Sequence, residues 1–111
     1  MGLLEWLRVR TVARPRPDVR ILELGPTGGG TFVDFSAFIQ NLGSRPCRCG
    51  ITASVGDRPV DCTPAIVDLL VNGPPKRIAI HVPPPEVSEG AELVMRVNDG
   101  KRMKSRTWAR R

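Results

Sequence analysis

The hydrophobic pattern of the chain changes its period from one segment to the next, and glycine or proline separates the segments. Short runs rich in β-branched and aliphatic residues, partly alternating with polar residues, predict strands. Four segments fit this description: residues 19–24, 49–54, 58–62 and 77–82. The second and third flank Val55-Gly56-Asp57, which predicts a β-hairpin, and Pro59 would confine the later strand to an edge of the sheet.

Three other segments show the spacing of a helix. The first stripe recurs at i, i+3, i+4 and i+7 between Thr31 as N-cap and Gly43 as stop, and consists of Phe35, Phe38, Ile39 and Leu42. The second follows Thr63-Pro64 and ends at Asn72-Gly73; its members are Ile66, Val67, Leu70 and Val71. The third, over 88–99, begins at Ser88 and places Ala91, Val94 and Val97 inward.

The resulting order, βαββαβα over residues 19–100, predicts an α+β open-faced sandwich in which helices cover one four-stranded sheet. A ferredoxin-like fold shares nearly the same order and stays open as an alternative. A chain of 111 residues with 41% apolar content supports one such domain. Residues 1–18 are then a basic amphipathic N-terminal extension, and residues 101–111 are a basic C-terminal tail.

The formal charge of +6 is unevenly distributed along the chain. Residues 1–20 carry +3 and residues 96–111 carry +6, whereas residues 21–95 carry −3. Binding to a polyanion is therefore expected of the termini and not of the body. Trp108 is expected to stack on bases. The residues expected to contact phosphates are Lys101, Arg102, Lys104, Arg106, Arg110 and Arg111.

The N-terminal segment around Trp6 has one large apolar side and one cationic side. Three destinations stay open for it: a partner protein, an anionic membrane surface, or the open face of its own sheet. No apolar run approaches the roughly 20 residues that span a bilayer, and no signal peptide is recognisable. A cytoplasmic location is the simplest expectation.

The three cysteines do not predict a disulfide framework, because their number is odd and the chain shows no export signal. Cys47 and Cys49 lie two residues apart and so share one face of a strand, with Cys62 on the neighbouring strand. Zinc normally takes four ligands, and only His81 is left as a fourth. We therefore expect reduced thiols that act as small buried hydrophobes, with no metal and no cofactor.

The element order and the turn Gly25-Pro26-Thr27-Gly28-Gly29-Gly30-Thr31 resemble the histidine-containing phosphocarrier family (HPr). The tight turn at Gly56 and the hydroxyl residue Thr63 at the second helix start are further points of resemblance. In that family a histidine at the start of the first helix carries the phosphoryl group, followed closely by an arginine and a proline. Thr31, or Gly30 if the loop is one residue shorter, takes that place here, so the resemblance implies a homologue that carries no phosphohistidine.

No paired acid and base and no nucleophile has the spacing of an active site, so we expect no enzyme. The expected function is a non-catalytic, HPr-like regulatory or protein-binding module with a protein as partner. The resemblance implies a binding surface at the starts of the first two helices, formed by Gly28, Gly29, Gly30, Thr31, Phe32, Phe35, Thr63 and Ile66. It also implies Thr63 as a phosphorylation site, since a helix start favours phosphate. The alternative is a small basic protein that binds nucleic acid or a membrane surface through its tails.

Overall fold

The computed structural model describes residues 15–28 and 30–111. In this part of the chain all regular secondary structure is β-strand, and no helix occurs. The strands are β1 (Val19–Pro26), β2 (Asp34–Asn41), β3 (Cys47–Val55), β4 (Arg58–Thr63), β5 (Ile66–Leu69), β6 (Lys76–His81), β7 (Glu92–Asn98) and β8 (Met103–Ala109).

All strand pairs are antiparallel, and the order of the strands is β1-β2-β6-β4-β3-β7-β8, with β5 paired to β3. Strand β4 belongs to both halves of this path. Its first half pairs with β3 and its second half, Asp61–Thr63, pairs with β6. The sheet passes at β4 from layer A (β1, β2, β6 and the end of β4) to layer B (β3, β5, β7 and β8).

The core consists of the residues that the two layers turn toward each other. Strands alternate their side chains between two faces, so one face of each layer is apolar. On β2 the buried residues are Phe35, Ala37 and Ile39, and on β7 they are Leu93, Met95 and Val97. These residues belong to one continuous cluster, which makes the two layers a β-sandwich with a single core.

The two ends of the strand path, β1 and β8, lie close together. The Arg106 guanidinium on β8 donates a hydrogen bond to the Ile21 carbonyl oxygen on β1 (2.9 Å). Lys104 and Arg106 stand in register with the buried Val97 and Met95, so both begin on the inward side of β8. Charged residues that point inward from an edge strand discourage pairing with the same edge of another chain.

The α+β expectation is wrong, and so is its ferredoxin-like alternative, because the three predicted helices are strands. The segment expected as the first helix is β2, where Phe35 and Ile39 are buried but Leu42 is 52% exposed. Its apolar residues fit a period of two, Phe35-Ala37-Ile39, as well as they fit a helical stripe. The tertiary context of a sandwich selects the strand.

The other two predicted helices fail for the same reason. In β5, Val67 and Leu69 are buried, whereas Ile66 and Leu70 of the predicted stripe are 66% and 70% exposed. In β7 the alternating residues Leu93, Met95 and Val97 are all fully buried. The strands predicted at 19–24 and 77–82 are confirmed as β1 and β6, and the predicted hairpin is confirmed as β3 and β4 around Gly56-Asp57.

The end of β2 shows why Gly43 is a glycine. Asn41, which is 1% exposed, accepts hydrogen bonds from the backbone N–H groups of Asp18 (3.1 Å) and Gly43 (2.9 Å) and donates one to the Arg45 carbonyl (2.7 Å). This draws the chain before β1 against Gly43, where a Cβ atom would lie only 2.2 Å from the Arg16 carbonyl oxygen. Gly43 permits a close backbone approach and does not end a helix.

Candidate binding surface

One end of the sandwich is formed by the loop before β2, the segment between β6 and β7, and the last residues of β8. Backbone hydrogen bonds join the loop to the segment, from Val82 N–H to the Val33 carbonyl (2.7 Å) and from Val87 N–H to the Phe32 carbonyl (2.9 Å). Two more, between Arg110 and the pair Gly90 and Ala91, attach the end of the chain (3.0 and 3.1 Å). The three pieces therefore hold one another in place.

Three aromatic side chains meet at this end. Trp108 stands on the inward side of β8, in register with Leu93. Its ring stacks on Phe32 at a centroid distance of 5.7 Å and meets the buried Phe35 edge-on at 5.0 Å. Both separations lie in the favourable range for aromatic pairs. These contacts join two parts of the chain for which the sequence predicted separate roles. Phe32 belongs to the loop expected to bind a protein, and Trp108 belongs to residues 101–111, which were expected to form a free tail.

Arg110 completes this group on the outside. Its guanidinium lies 4.1 Å from the centre of the Phe32 ring, in the geometry of a cation–π contact, and donates a hydrogen bond to the Val87 carbonyl. Glu86 lies 3.6 Å from Arg110 and accepts a hydrogen bond from the Phe32 backbone N–H (2.9 Å). We call Phe32, Phe35, Glu86, Trp108 and Arg110 the aromatic–arginine cluster.

A cavity of about 550 Å³ opens beside this cluster. It is lined by Phe32, Thr107, Trp108, Ala109, Arg110 and Arg111. We call it the β8 groove. Its walls combine aromatic surface with the guanidinium groups of Arg110 and Arg111. Of these two residues, Arg111 is exposed. Such a lining suits a ligand that carries an anionic group next to an apolar one.

The basic residues continue from the groove along β8 and into the turn that precedes it. Asp99 organises this turn by accepting hydrogen bonds from the backbone N–H groups of Lys101 (2.9 Å) and Arg102 (2.8 Å). Burial works to raise the pKa of Asp99, but these hydrogen bonds and the charges of Arg102 and Lys104 outweigh it and hold the pKa below its ordinary value. The carboxylate is therefore ionised and offsets part of the local positive charge.

The residues expected at the starts of two helices lie on a loop and three strands instead. Gly28, Gly30 and Thr31 are exposed, whereas Phe35 is only 1% exposed and is a core residue. Gly29 lies outside the described residues. Gly28 and Gly30 have φ angles of 113° and 73°, which glycine adopts without strain.

Thr63 ends β4 and Ile66 begins β5, and both are exposed. No helix follows Thr63, so the helix N-terminus that would favour a phosphate group there is missing. Phosphorylation of Thr63 stays a prediction without that physical support. The N-terminal amphipathic segment around Trp6 lies outside the described residues.

The thiols and the histidine occupy separate places. Cys47 and Cys49 share a face of β3, as their spacing predicts, with their sulfur atoms 3.6 Å apart, while Cys62 pairs with Ile80 of β6. Burial raises the pKa of all three thiols, that of Cys49 to about 12. Among residues 15–28 and 30–111, no group of three or more His, Cys, Asp or Glu side chains could hold a metal ion. His81 is exposed on β6 and lies 2.8 Å from an Asp34 carboxylate oxygen.

The aromatic–arginine cluster was not predicted from the sequence. A signal for it existed, because the chain has only three phenylalanines and two tryptophans and no tyrosine. Two of the phenylalanines stand close together at 32 and 35, and one tryptophan lies in a segment that looked like a solvated tail. Only the pairing of β7 with β8 reveals that these residues meet.

Comparison with known proteins identifies a structural neighbour but no family. No protein-family model matches the sequence, and no match is found among curated proteins. A chain from the archaeal flagellum of Methanospirillum hungatei strain JF1 has a similar structure, with a TM-score of 0.57 and 11% sequence identity. The similarity covers 96% of this chain and 74% of that one. At this identity the likeness shows the fold alone.

The resemblance to HPr is therefore wrong, as are the descriptions phosphocarrier homologue and HPr-like that follow from it. The neighbour is a flagellar chain, and the described residues form an all-β sandwich without the helices on which the resemblance rested. With no helix among these residues, none is long and apolar enough to span a membrane.

Proposed function

We propose that this chain is a non-catalytic protein-binding module that takes an acidic segment of a partner protein along β8 and into the β8 groove. The observation that carries the proposal is the position of the six Lys and Arg residues of 101–111. They lie on β8 and the residues that flank it, and not on a free tail. Charges held in place by a strand and by the residues that flank it favour a ligand with a complementary pattern and speed its encounter with the protein.

The groove supports a ligand of mixed character. Arg110 is partly balanced by Glu86, whereas none of the described acidic side chains lies within ion-pair distance of Arg111. A carboxylate can bind Arg111 while a neighbouring apolar side chain packs against the Ala109 side of the groove. Acidic segments of proteins commonly carry both groups next to each other. The β8 groove is open to solvent, which leaves room for a side chain of a bound segment.

Two contacts favour a protein over a nucleic acid. Binding to single strands relies on aromatic faces that are free to stack on bases, and Trp108 already stacks on Phe32. Arg106 and Arg110 donate hydrogen bonds to carbonyl groups of their own chain, which reduces what they offer to phosphates. Binding to nucleic acid or an anionic membrane is the second candidate, and the cations Lys101, Arg102 and Arg111, all exposed, favour it.

The structural neighbour adds support of a general kind. A chain with a similar sandwich belongs to an archaeal flagellum, which is an assembly of proteins. A fold of this type is thus compatible with a role based on contacts between proteins. The cytoplasmic location expected from the sequence stays a prediction.

Fluorescence anisotropy with the full chain and three labelled probes tests the proposal. The probes are a short peptide of glutamate and leucine, a single-stranded DNA of similar charge, and vesicles that contain phosphatidylserine. We expect the peptide to bind, and the double variant Arg102→Glu/Arg111→Glu to weaken this binding by at least about tenfold. Both positions are exposed, so the variant retains the core.

The matched control is Arg45→Glu/Lys76→Glu, which makes the same change of charge at exposed positions that belong neither to β8 nor to the residues that flank it. It should leave peptide binding almost unchanged. If the peptide does not bind the original chain, or if the control weakens binding as much as the β8 variant does, the proposal is wrong. Tighter binding of DNA or vesicles than of the peptide would favour the second candidate.

A further inference from the structure

The outer face of layer A consists of four rows of residues that the strand register places side by side. The two middle rows differ sharply in size, and on β1 the bulge that contains the exposed Glu23 lies between them. One contains Leu22, Phe38 and Arg77, and the next contains Gly25, Ser36, Ala79 and Thr63. The outer rows are polar: Arg20 and Gln40 lie beyond the large row, and Asp34, His81 and Asp61 lie beyond the small row.

The two middle rows have complementary shapes. Phe38 and Leu22 are bulky, apolar and only half-buried, although they stand on the outside of the sandwich. Next to them, Gly25, Ser36 and Ala79 leave a shallow depression, because their side chains are short or missing. A face that has a ridge next to a depression can pack against a second copy of itself. A two-fold rotation then places the ridge of each copy in the depression of the other.

The charges on this face are complementary in the same way. Within the described residues, Arg77 and Asp61 have no ion-pair partner, whereas Arg20 is paired with Asp18, and Asp34 with His81. Asp61 lies opposite His81 of β6. His81 is four residues from Arg77 on that strand, a distance of roughly 13 Å. Arg77 and Asp61 therefore do not neutralise each other within one chain.

We infer that the outer face of layer A binds a second copy of this chain in a two-fold symmetric dimer. The symmetry axis runs across the strands, between the large row and the small row. Rotation about it places Phe38 of each copy over Ser36 of the other, and Arg77 over Ala79. From there the Arg77 side chain needs to reach about 7 Å along the strand and about 5 Å across to the neighbouring strand to meet Asp61 of the other copy. Each dimer contains this ion pair twice.

The occupant follows from this match. A partner of another kind would have to present a depression opposite Phe38 and an anionic group opposite Arg77, in the same register. A second copy of this face supplies both features at once. The face-to-face arrangement also resembles the way in which two sheets pack within a sandwich, about 10 Å apart.

Sedimentation velocity of the full chain over a concentration series tests the inference. We expect a species with twice the 12.2 kDa mass of the chain at high concentration. Arg77→Glu and Asp61→Lys each place like charges together twice per dimer, so each should raise the dissociation constant by at least about tenfold. The double variant Arg77→Glu/Asp61→Lys exchanges the two charges and should restore the dimer.

Arg45→Glu makes the same charge change as Arg77→Glu at an exposed position outside this face, and the dimer should persist in it. Phe38→Ser removes the ridge and should weaken the dimer without a change of charge. A chain that stays monomeric at every concentration would overturn the inference. So would a dimer that survives both single charge reversals, that is not restored by the charge exchange, or that is lost in the Arg45→Glu control.

Discussion

Phe35 and Phe38 lie on the same strand, three residues apart, and face opposite sides of layer A. Phe35 is 1% exposed and packs edge-on against Trp108, whereas Phe38 stands on the outer face and is half-buried. The helical interpretation placed both phenylalanines on one buried stripe. The alternation of β2 gives that role to Phe35, and it leaves Phe38 available to a second molecule.

We predict that Phe35→Ala lowers the free energy of unfolding by about 3–5 kcal/mol, the usual cost of removing a buried phenylalanine. Phe38→Ala should cost less than Phe35→Ala, since the Phe38 side chain lies on the outer face and is partly exposed. Urea denaturation, at concentrations low enough to keep the chain monomeric, measures both values. An equal or larger loss for Phe38→Ala would contradict the register of β2.

Cys49 provides a second test at the scale of one residue. Burial raises the pKa of its thiol to about 12, from an ordinary value of 9.0. The unfolded chain releases this proton near pH 9, whereas the folded chain retains it, so the contribution of the protonated thiol is fully present below pH 9. It is lost as the pH rises from about 9 toward 12.

We therefore predict that the melting temperature falls over this pH range more steeply in the original chain than in Cys49→Val. Valine fills a similar volume and has no proton to release, so the variant retains the core and lacks this pH term. Thermal unfolding followed by circular dichroism measures the difference. Parallel pH profiles of the two proteins would show that the thiol is accessible to ionisation in the folded state.

At the scale of elements, the sequence indicates where each segment ends more clearly than whether the segment is a helix or a strand. Gly56, Asn72-Gly73 and Gly100 were all predicted as ends of elements, and each lies in a turn of the structure. The strands β1 and β6 were identified because β-branched residues alternate with other residues in them, Val19 with Ile21 and Ile78 with Ile80. Strands β2 and β7 were missed, although Leu93, Met95 and Val97 alternate, because their outward positions also carry apolar residues such as Phe38 and Val94. Those residues complete an apparent helical stripe.

Strand β8 was missed for a different reason. Its inward positions include Lys104 and Arg106, so no apolar alternation identifies it, and its charge is typical of a solvated tail. The strand becomes evident only from its partner β7, which has three fully buried residues and needs a neighbouring strand on this side. The same limit applies to the candidate site, since the meeting of Phe32 with Trp108 depends on a pairing between distant segments.

Removal of residues 101–111 should therefore unfold the domain and not merely remove a charged tail. Without β8, the edge of β7 loses its hydrogen-bond partner and Trp108 no longer covers Phe35. We expect the truncated chain to lose its cooperative thermal transition and the dispersion of its amide NMR spectrum. The control replaces Lys101, Arg102 and Arg111 with glutamine, which removes charge but leaves β8 intact, and should melt cooperatively. A truncated chain that folds like the control would show that β8 is dispensable.

At the scale of the whole molecule, the charge division drawn from the sequence acquires a different meaning. The basic C-terminal residues belong to the folded body, where they form one edge of layer B, and the outer face of layer A presents Arg77 and Asp61. The molecule thus offers two surfaces with different chemistry. One is predominantly cationic with an aromatic groove, and the other has an apolar ridge between charges of both signs.

These two surfaces should respond independently, because one is the outer face of layer A and the other is built around β8 in layer B. We predict that Arg77→Glu weakens the dimer in sedimentation velocity while the acidic peptide still binds, and that Arg102→Glu/Arg111→Glu weakens peptide binding while the dimer persists. Added salt should weaken peptide binding steeply, since the contact is between exposed charges, and should weaken the dimer less, since Phe38 contributes burial of apolar surface. Loss of both properties in either variant, or an equal response of both to salt, would mean that dimer formation and peptide binding use one surface.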